Sequence, residues 1–226
     1  MVSVDPSRVH DVGFHVAWHG RFMTLAWGFL VPLGVVIARY YKVTRKQNWP
    51  TEVDNHFWWR CHLTLQISAA LLTLIALGLM WNYREFKWFG STHFVLGWLI
   101  AILAIGQVAG GVLRGSKGGP TDPAPDGSLH GDHYDMTVRR LAFEIIHKTA
   151  GYIALLLAFV AVLTGIWEAN GPRWMWISLI AWWCSLLLFS LRQERTRRCP
   201  DTYQALWGPD PIHPGNKKKK RSRARH

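Results

Sequence analysis

Long apolar runs alternate with short polar segments along most of the 226-residue chain. Five runs reach the length of about 18 residues that a helix needs to cross the hydrocarbon core of a bilayer. They are Trp18–Tyr40, Phe57–Trp81, Thr92–Leu113, Ala142–Trp167 and Trp174–Leu191. Within lipid, an open chain segment satisfies its backbone polar groups only as a helix. The pattern therefore predicts an all-α membrane protein with five transmembrane helices.

Positive charge is divided unequally between the two faces of this layout. The chain carries 26 Lys and Arg against 14 Asp and Glu. If the five spans alternate in direction, the face that holds the N-terminus carries only Arg8, Arg21, Arg84, Lys87 and Arg173. Loops rich in Lys and Arg stay in the cytoplasm. We therefore expect an extracytoplasmic N-terminus and a cytoplasmic C-terminus.

The polar ends suggest three parts: an extracytoplasmic segment over 1–15, a transmembrane domain over 16–192 and a basic cytoplasmic tail over 193–226. The tail ends in "NKKKKRSRARH", which predicts disorder. Such a run can bind nucleic acid, but below a membrane it meets anionic lipid more simply. We expect membrane lipid and no nucleic acid as its partner.

Two local features concern the first and last spans. Pro32 predicts a kink in the first helix, because proline cannot donate the backbone hydrogen bond of its turn. The cluster "RWMWISLIAWW" (173–183) is typical of an aromatic belt at the membrane–water interface.

Four of the eleven histidines lie inside or at the mouth of a span, near the N-terminal end of each of the first four helices. They are His19, His62, His93 and His147. Because successive helices run in opposite directions, His19 and His93 share the outer depth, and His62 and His147 the inner depth. Ionisable groups inside spans are costly and usually face the bundle interior with a function.

Two imidazoles at one depth suit haem iron better than a bare metal ion. Imidazole binds Zn, Cu, Fe and Ni, but zinc requires four protein ligands, or three and an open position. Haem brings four nitrogens, needs two axial ligands and fits between the helices of a bundle. We predict two haem b groups in a bundle of the first four helices, bound by His19 with His93 and by His62 with His147. Without a CxxCH motif, both are expected to be non-covalent.

Some neighbouring residues leave alternatives open. His15 lies one turn before His19 on the same face and is an alternative ligand. Gly97 and Gly151 each follow a span histidine by four residues, where a missing side chain lets a flat ring approach; close helix packing explains them equally well. The other histidines are expected to be solvated loop residues: His10, His56, His130, His133, His213 and His226.

Cations could complete these sites. Arg21, on the outer side, is a candidate partner for a haem propionate. The basic groups near the inner face are Arg39, Arg60, Arg114, Arg140 and Lys148. Of these we take Arg39, Arg60 and Arg114 as a candidate site for an anionic electron donor, although positive charge is expected on the inner face of any membrane protein.

The histidine motifs resemble those of the cytochrome b561 family. The stretch "HGRFMTLAWGFLVPLGVVIARY" (19–40) resembles the first core helix of the family, and "HLTLQ" (62–66), "HFVLGW" (93–98) and "HKTAGY" (147–152) match its three following histidine helices. The resemblance covers roughly residues 15–167. It is greatest to the five-span membrane part of members that elsewhere carry an additional soluble domain, which we expect to be absent here.

The resemblance implies a di-haem cytochrome that transfers electrons from a cytoplasmic donor, such as ascorbate, to an extracytoplasmic acceptor. Family members reduce monodehydroascorbate or ferric chelates, so a transmembrane reductase, which could be a homodimer, is one expectation. A second is a membrane-anchor cytochrome that connects a quinol pool with a separate periplasmic redox protein. A third, non-redox alternative is a zinc or copper transporter that uses the span histidines.

Overall fold

The computed structural model describes residues 3–10, 12–81, 83, 91–115, 125, 128, 130–196 and 201–216. Its helices are α1 (Phe14–Tyr40), α2 (Phe57–Trp81), α3 (Thr92–Leu113), α4 (Asp132–Asp135), α5 (Val138–Glu168), α6 (Arg173–Thr196) and α7 (Thr202–Trp207). The five long helices α1, α2, α3, α5 and α6 are long and apolar enough to cross a membrane. The predicted all-α membrane fold is confirmed.

Several helices continue beyond the apolar runs that predicted them. Helices α2 and α3 have the predicted bounds, whereas α5 begins four residues earlier, at Val138. The hydroxyl of Thr137 caps α5 by accepting a hydrogen bond from the backbone N–H of Arg140. Apolar runs match the thickness of the hydrocarbon core, but a helix can continue into the interface with polar residues.

The first four long helices form a bundle of two pairs. Helix α1 packs along α2, helix α3 packs along α5, and contacts between α1 and α5 join the two pairs. Helix α6 lies outside the bundle, against α1 and α5. Small residues such as Ala26, Ala69 and Ala158 are almost fully buried at the helix contacts, which allows close approach of the backbones.

Helix α1 contains a π-helical segment, Thr24–Leu30, just before Pro32. In an α-helix the carbonyl of Gly28 would accept from residue 32, but proline has no N–H. The indoles of Trp182 and Trp183 on α6 donate to this carbonyl instead, at 2.9 and 3.0 Å. These two tryptophans therefore do not belong to the interfacial belt that the sequence suggested, because an unsatisfied carbonyl within the membrane recruits them.

The N-terminal segment is fixed to the turn between α5 and α6. Asn170 is almost completely buried, and its amide donates to the carbonyls of Asp5 and Arg8 at 3.0 and 2.6 Å. Its carbonyl oxygen accepts from the backbone N–H of Asp5 at 3.0 Å. These bonds hold the segment at the end of the bundle that contains the start of α1.

The C-terminal segment differs from the predicted disordered tail. Helix α7 buries Tyr203, Ala205 and Leu206, and Ala205 packs with Val43 of the α1–α2 loop. His213, expected to be solvated, is buried, since residues 208–216 fold back against α7. The sequence reasoning weighed the charge of the tail and overlooked these apolar residues. The basic run over 217–226 lies outside the described residues.

Candidate metal centres

The imidazoles of His19 and His93 face each other at the outer end of the bundle. His19 lies in the second turn of α1 and His93 in the first turn of α3. Their ring centroids are 6.1 Å apart, and the ring planes are inclined by 81°. The structure thus brings together two residues from opposite helix pairs, 74 positions apart in the sequence.

A second pair lies at the inner end. His62 on α2 and His147 on α5 have ring centroids 6.2 Å apart and ring planes inclined by 75°. Again one imidazole comes from each helix pair. The two pairs thus have nearly the same spacing and inclination.

This spacing fits a metal ion between the rings. Metal–imidazole bonds of about 2 Å place the two coordinating nitrogens about 4 Å apart, and each ring centroid lies roughly 1 Å farther back. Collinear ligands then give a centroid separation of about 6 Å. T-shaped rings in direct contact have similar separations, so the observed 6.1 and 6.2 Å would leave room for one metal ion between the rings of each pair without being specific to it.

Three of the four imidazoles are oriented by a backbone carbonyl of the partner helix in their own pair. The Nδ1 of His19 bonds the carbonyl of Ala76 at 3.1 Å. The Nδ1 of His62 bonds Gly34 at 3.0 Å, and that of His93 bonds Ala161 at 2.8 Å. A carbonyl can only accept, so Nδ1 carries the proton and Nε2 presents its lone pair. This is the usual orientation of histidines that bind a metal.

The fourth imidazole lacks such a partner within the described part of the chain. The Nδ1 of His147 is buried without a hydrogen bond. The nearby Gln107 uses its amide nitrogen to donate to the carbonyl of His147 at 3.1 Å. Phe143 stacks on the imidazole at a centroid distance of 4.9 Å and fixes the ring plane instead.

No group of three or more histidine, cysteine, aspartate or glutamate side chains comes together as a possible metal site among the described residues. Each centre therefore offers two protein ligands. Two ligands leave a zinc ion incompletely coordinated, whereas they complete the coordination of haem iron. The donor set fits haem better than a bare ion.

The two predicted glycines have open space beside them, as several other helical glycines do. A Cβ atom on Gly97 would meet nothing within 4 Å, and one on Gly151 would meet only Gln107, at 4.0 Å. Gly165 is different: its Cβ would lie 2.7 Å from Cε1 of His93. The sequence reasoning overlooked Gly165, because a glycine near the C-terminal end of α5 carries no signal that an imidazole of α3 packs on it.

His15 and Arg21 lie away from the outer pair. His15 is exposed, with its ring 5.8 Å from that of Tyr83. The structure therefore places His19, and not His15, opposite His93. Arg21 is exposed with its guanidinium 4.9 Å above the ring of Trp18, so no observed contact directs it towards the predicted propionate.

The three arginines of the predicted donor site have separate surroundings. Arg39 pairs with Glu194 of α6 at 3.2 Å, and Arg60 is exposed. Arg114 is half-buried above the ring of Trp59, with a guanidinium-to-centroid distance of 5.6 Å. Burial, and then repulsion from Arg140, lowers the pKa of Arg114. Of the three, Arg114 alone has an electrostatic link to residues beside the inner pair.

The two centres lie at opposite ends of the same helices. On α5, His147 and the carbonyl of Ala161 that orients His93 are 14 residues apart in sequence. At 1.5 Å per residue this corresponds to about 21 Å. Between the levels, the buried indole of Trp27 donates to the hydroxyl of Thr73 at 3.0 Å.

Comparisons with known proteins agree with this architecture. A family model for eukaryotic cytochrome b561 matches residues 18–116, which include the first three span histidines. A cytochrome b561, DM13 and DOMON domain-containing protein of Arabidopsis thaliana is 33% identical over 69% of this chain and 15% of its own length. No solved structure gives a significant match.

Two animal relatives carry the name of a reductase. Ferric-chelate reductase 1 of Bos taurus is 28% identical over 73% of this chain and 25% of its own length. A putative ferric-chelate reductase 1 homolog of Drosophila melanogaster is 29% identical over 70% of this chain and 22% of its own length. The chain thus spans at most about a quarter of the length of these three relatives.

Together with the order of the histidine helices, these matches show that this multi-pass membrane protein belongs to the cytochrome b561 family, which implies b-type haem as its cofactor.

Proposed function

We propose that the protein transfers electrons across a membrane through two b haems, one bound by His19 and His93 and one by His62 and His147. The observation that carries this proposal is the presence of two facing imidazole pairs, with nearly equal spacing, at two levels of one bundle. When bound, each haem supplies one-electron redox chemistry. Imidazoles at both axial positions of each haem would favour electron transfer over chemistry at the iron.

The protein residues set the conditions for this transfer. The carbonyl of Ala76, Gly34 or Ala161 holds the Nδ1 proton of an imidazole, so that the ligand does not have to reorient when the charge of the iron changes. Buried side chains such as Trp27 and Ile100 exclude water from the space between the levels.

The charge asymmetry bears on which side of the membrane each centre faces. By the positive-inside rule the inner centre lies near the cytoplasm, and the resemblance to the family then suggests a cytoplasmic reductant, such as ascorbate, as the electron donor. The outer centre then reduces an extracytoplasmic acceptor. The names of the bovine and Drosophila relatives suggest a ferric chelate for this role.

An optical spectrum of the purified protein tests the cofactor directly. We expect two haems per chain, low-spin in both oxidation states, and extractable by acidified organic solvent because no thioether bond holds them. A spectrum without haem, in a protein that instead contains zinc or copper, would contradict the proposal and favour the transporter.

A cavity between α1, α5 and α6 favours a second candidate, in which a membrane quinol is the donor. Its volume is about 330 Å³. Its walls are apolar and aromatic, with Trp27 and Phe159 among them, and its polar groups include Arg39 and Tyr152. An apolar cavity with a few polar groups suits an amphipathic redox molecule.

Filling this cavity separates the two candidates. Leu155 lines the cavity, whereas its neighbour Leu156 is 67% exposed on the outside of the bundle. If a quinol is the donor, Leu155→Trp should slow reduction of the haems by a short-chain quinol several-fold, and Leu156→Trp should not. Reduction by ascorbate should be equal in both variants. Equal quinol rates in wild type and Leu155→Trp would exclude the cavity as the donor site.

A further inference from the structure

Arg140 is an arginine buried near the inner centre with unused hydrogen-bond donors. It is 4% exposed, and neither its Nε nor its Nη1 has a hydrogen-bond partner among the described residues. Its Nη2 lies 3.4 Å from Oε1 of Glu144, one turn away on α5. Arg140 also lies two turns before His147 on the same face of the helix. A buried guanidinium with free N–H groups is costly unless an anion meets it.

The C-terminal segment contains two more buried donors without partners. The indole Nε1 of Trp207 and the Nε2 of His213 are buried and have no partner within the described residues. The Nδ1 of His213 accepts from the backbone N–H of Gly215 at 3.0 Å. Burial lowers the pKa of His213, which keeps the ring neutral. The proton therefore resides on Nε2, which makes this nitrogen a donor.

Ring contacts connect these donors with each other and with Tyr203, whose hydroxyl lies near Arg140. The ring of His213 lies 5.7 Å from that of Trp207 and 6.0 Å from that of Tyr203. The hydroxyl of Tyr203 is close to both Glu144 and Arg140; burial, and then its bond with Glu144, raises the pKa of this phenol. The C-terminal segment thus covers the cytoplasmic end of α5.

The same cluster is in contact with the inner imidazole pair. The guanidinium of Arg140 lies 5.3 Å above the ring of Phe143, and Phe143 stacks on His147. Repulsion from Arg140 contributes to the lowered pKa of Arg114, so the two cations influence each other. Glu144 is shared between Arg140 and the exposed Lys148. Four buried N–H groups, on Arg140, Trp207 and His213, thus lack an acceptor among the described residues, and the buried Oε1 of Glu144 likewise has no hydrogen bond.

We propose that Arg140, with Trp207 and His213 of the C-terminal segment, forms a buried carboxylate-binding site that receives a propionate of the inner haem. This inference rests on the proposed function, because it requires a haem between His62 and His147. A propionate extends from the edge of the macrocycle and so can reach a site two helical turns from the axial ligand. The burial of all three donors favours such a tethered carboxylate over a free anion, which would have to enter under the C-terminal segment.

Redox titration of the purified protein with both haems tests this site. Two haems should give two reduction potentials, and the potential that is absent from the titration of His62→Ala belongs to the inner haem. Arg140→Gln should lower it, because a nearby cation stabilises the reduced haem. A unit charge about 10 Å from the iron, at an effective dielectric constant of about 20, changes the reduction equilibrium roughly tenfold. Arg140→Lys retains the charge and should restore most of the potential.

A matched control and a second variant accompany this measurement. Arg139→Gln makes the same change one residue away, on an exposed side chain. Because solvent screens exposed charges, this variant should change the reduction equilibrium constant of the inner haem by less than about twofold relative to wild type. Trp207→Phe removes a single neutral N–H donor and should lower the potential in the same direction by a smaller factor.

The possible outcomes distinguish a haem propionate from a free anion at this site. They also distinguish failure of the carboxylate site from failure of the di-haem function. If sodium acetate or inorganic phosphate shifts the inner-haem potential of wild type but not of Arg140→Gln, the site takes a free anion and the propionate assignment is wrong. If Arg140→Gln and Arg139→Gln titrate alike, with both haems retained, the carboxylate site is refuted and the di-haem function is unaffected. A purified protein without haem would instead refute the proposed function.

Discussion

His62→Ala and His147→Ala are each expected to yield a protein with one haem instead of two, and the same haem should be lost from both. Each substitution removes one of two imidazoles whose ring centroids are 6.2 Å apart, and so would leave the inner haem with a single protein ligand. His19→Ala and His93→Ala should remove the other haem. The measurement is haem content together with the absorption spectrum of the purified variants.

The pairing itself is open to contradiction by this experiment. Loss of different haems from His62→Ala and His147→Ala would show that the facing rings do not bind one iron. Retention of both haems in His19→Ala would instead point to His15, which lies one turn earlier. His56→Ala is a suitable control, because His56 is exposed and bonds Asp54 at 2.8 Å, so it should retain two haems with unchanged spectra.

Electron transfer across a sealed membrane is the second large effect that we expect. Vesicles that contain the protein, with ascorbate trapped on the side of the C-terminal segment and an impermeant ferric chelate outside, should reduce the chelate. The levels of the two centres are about 21 Å apart, and the macrocycles cover much of that distance, so a third cofactor is not required. His62→Ala should lower the rate to that of vesicles without protein.

The wild-type protein in the opposite orientation and the variant His56→Ala are the comparisons for this assay. His56→Ala should transfer electrons at the wild-type rate. If His62→Ala, shown to lack the inner haem, supported the same flux as wild type, the relay would be refuted and only chemistry at the outer centre would remain. Dependence on the orientation of the protein would in turn test the assignment of the inner side to the cytoplasm.

The apolar pattern predicts the five long helices and the histidine rings that face each other, whereas the binding of haem by these pairs stays a prediction. The rule that successive spans reverse direction places His19 with His93 and His62 with His147, and the structure brings these rings together. This inference succeeds because helix length in a membrane is fixed by bilayer thickness. The position of a residue along its span then translates directly into depth.

The sequence could not predict contacts made by the backbone or by the segment after α6. The carbonyls of Gly34, Ala76 and Ala161 orient three imidazoles, but any residue type has a carbonyl, so no letter of the sequence marks them. Arg140 lies at the start of α5, and Tyr203 of α7, whose hydroxyl is close to it, comes more than 60 residues later in the sequence. A charged residue beside a membrane is expected at the surface, and only the fold of residues 201–216 shows otherwise.

The bond between the first and the last span has a consequence for how the protein is made. Membrane spans emerge from the ribosome in order, N-terminus first, so α1 enters the bilayer long before α6. Until Trp182 and Trp183 arrive, the carbonyl of Gly28 has no indole donor. This carbonyl therefore gains its two donors only after α6 has been synthesised. A chain truncated before α6 would leave an open carbonyl at mid-membrane depth, a defect by which cellular quality control could recognise an unfinished protein.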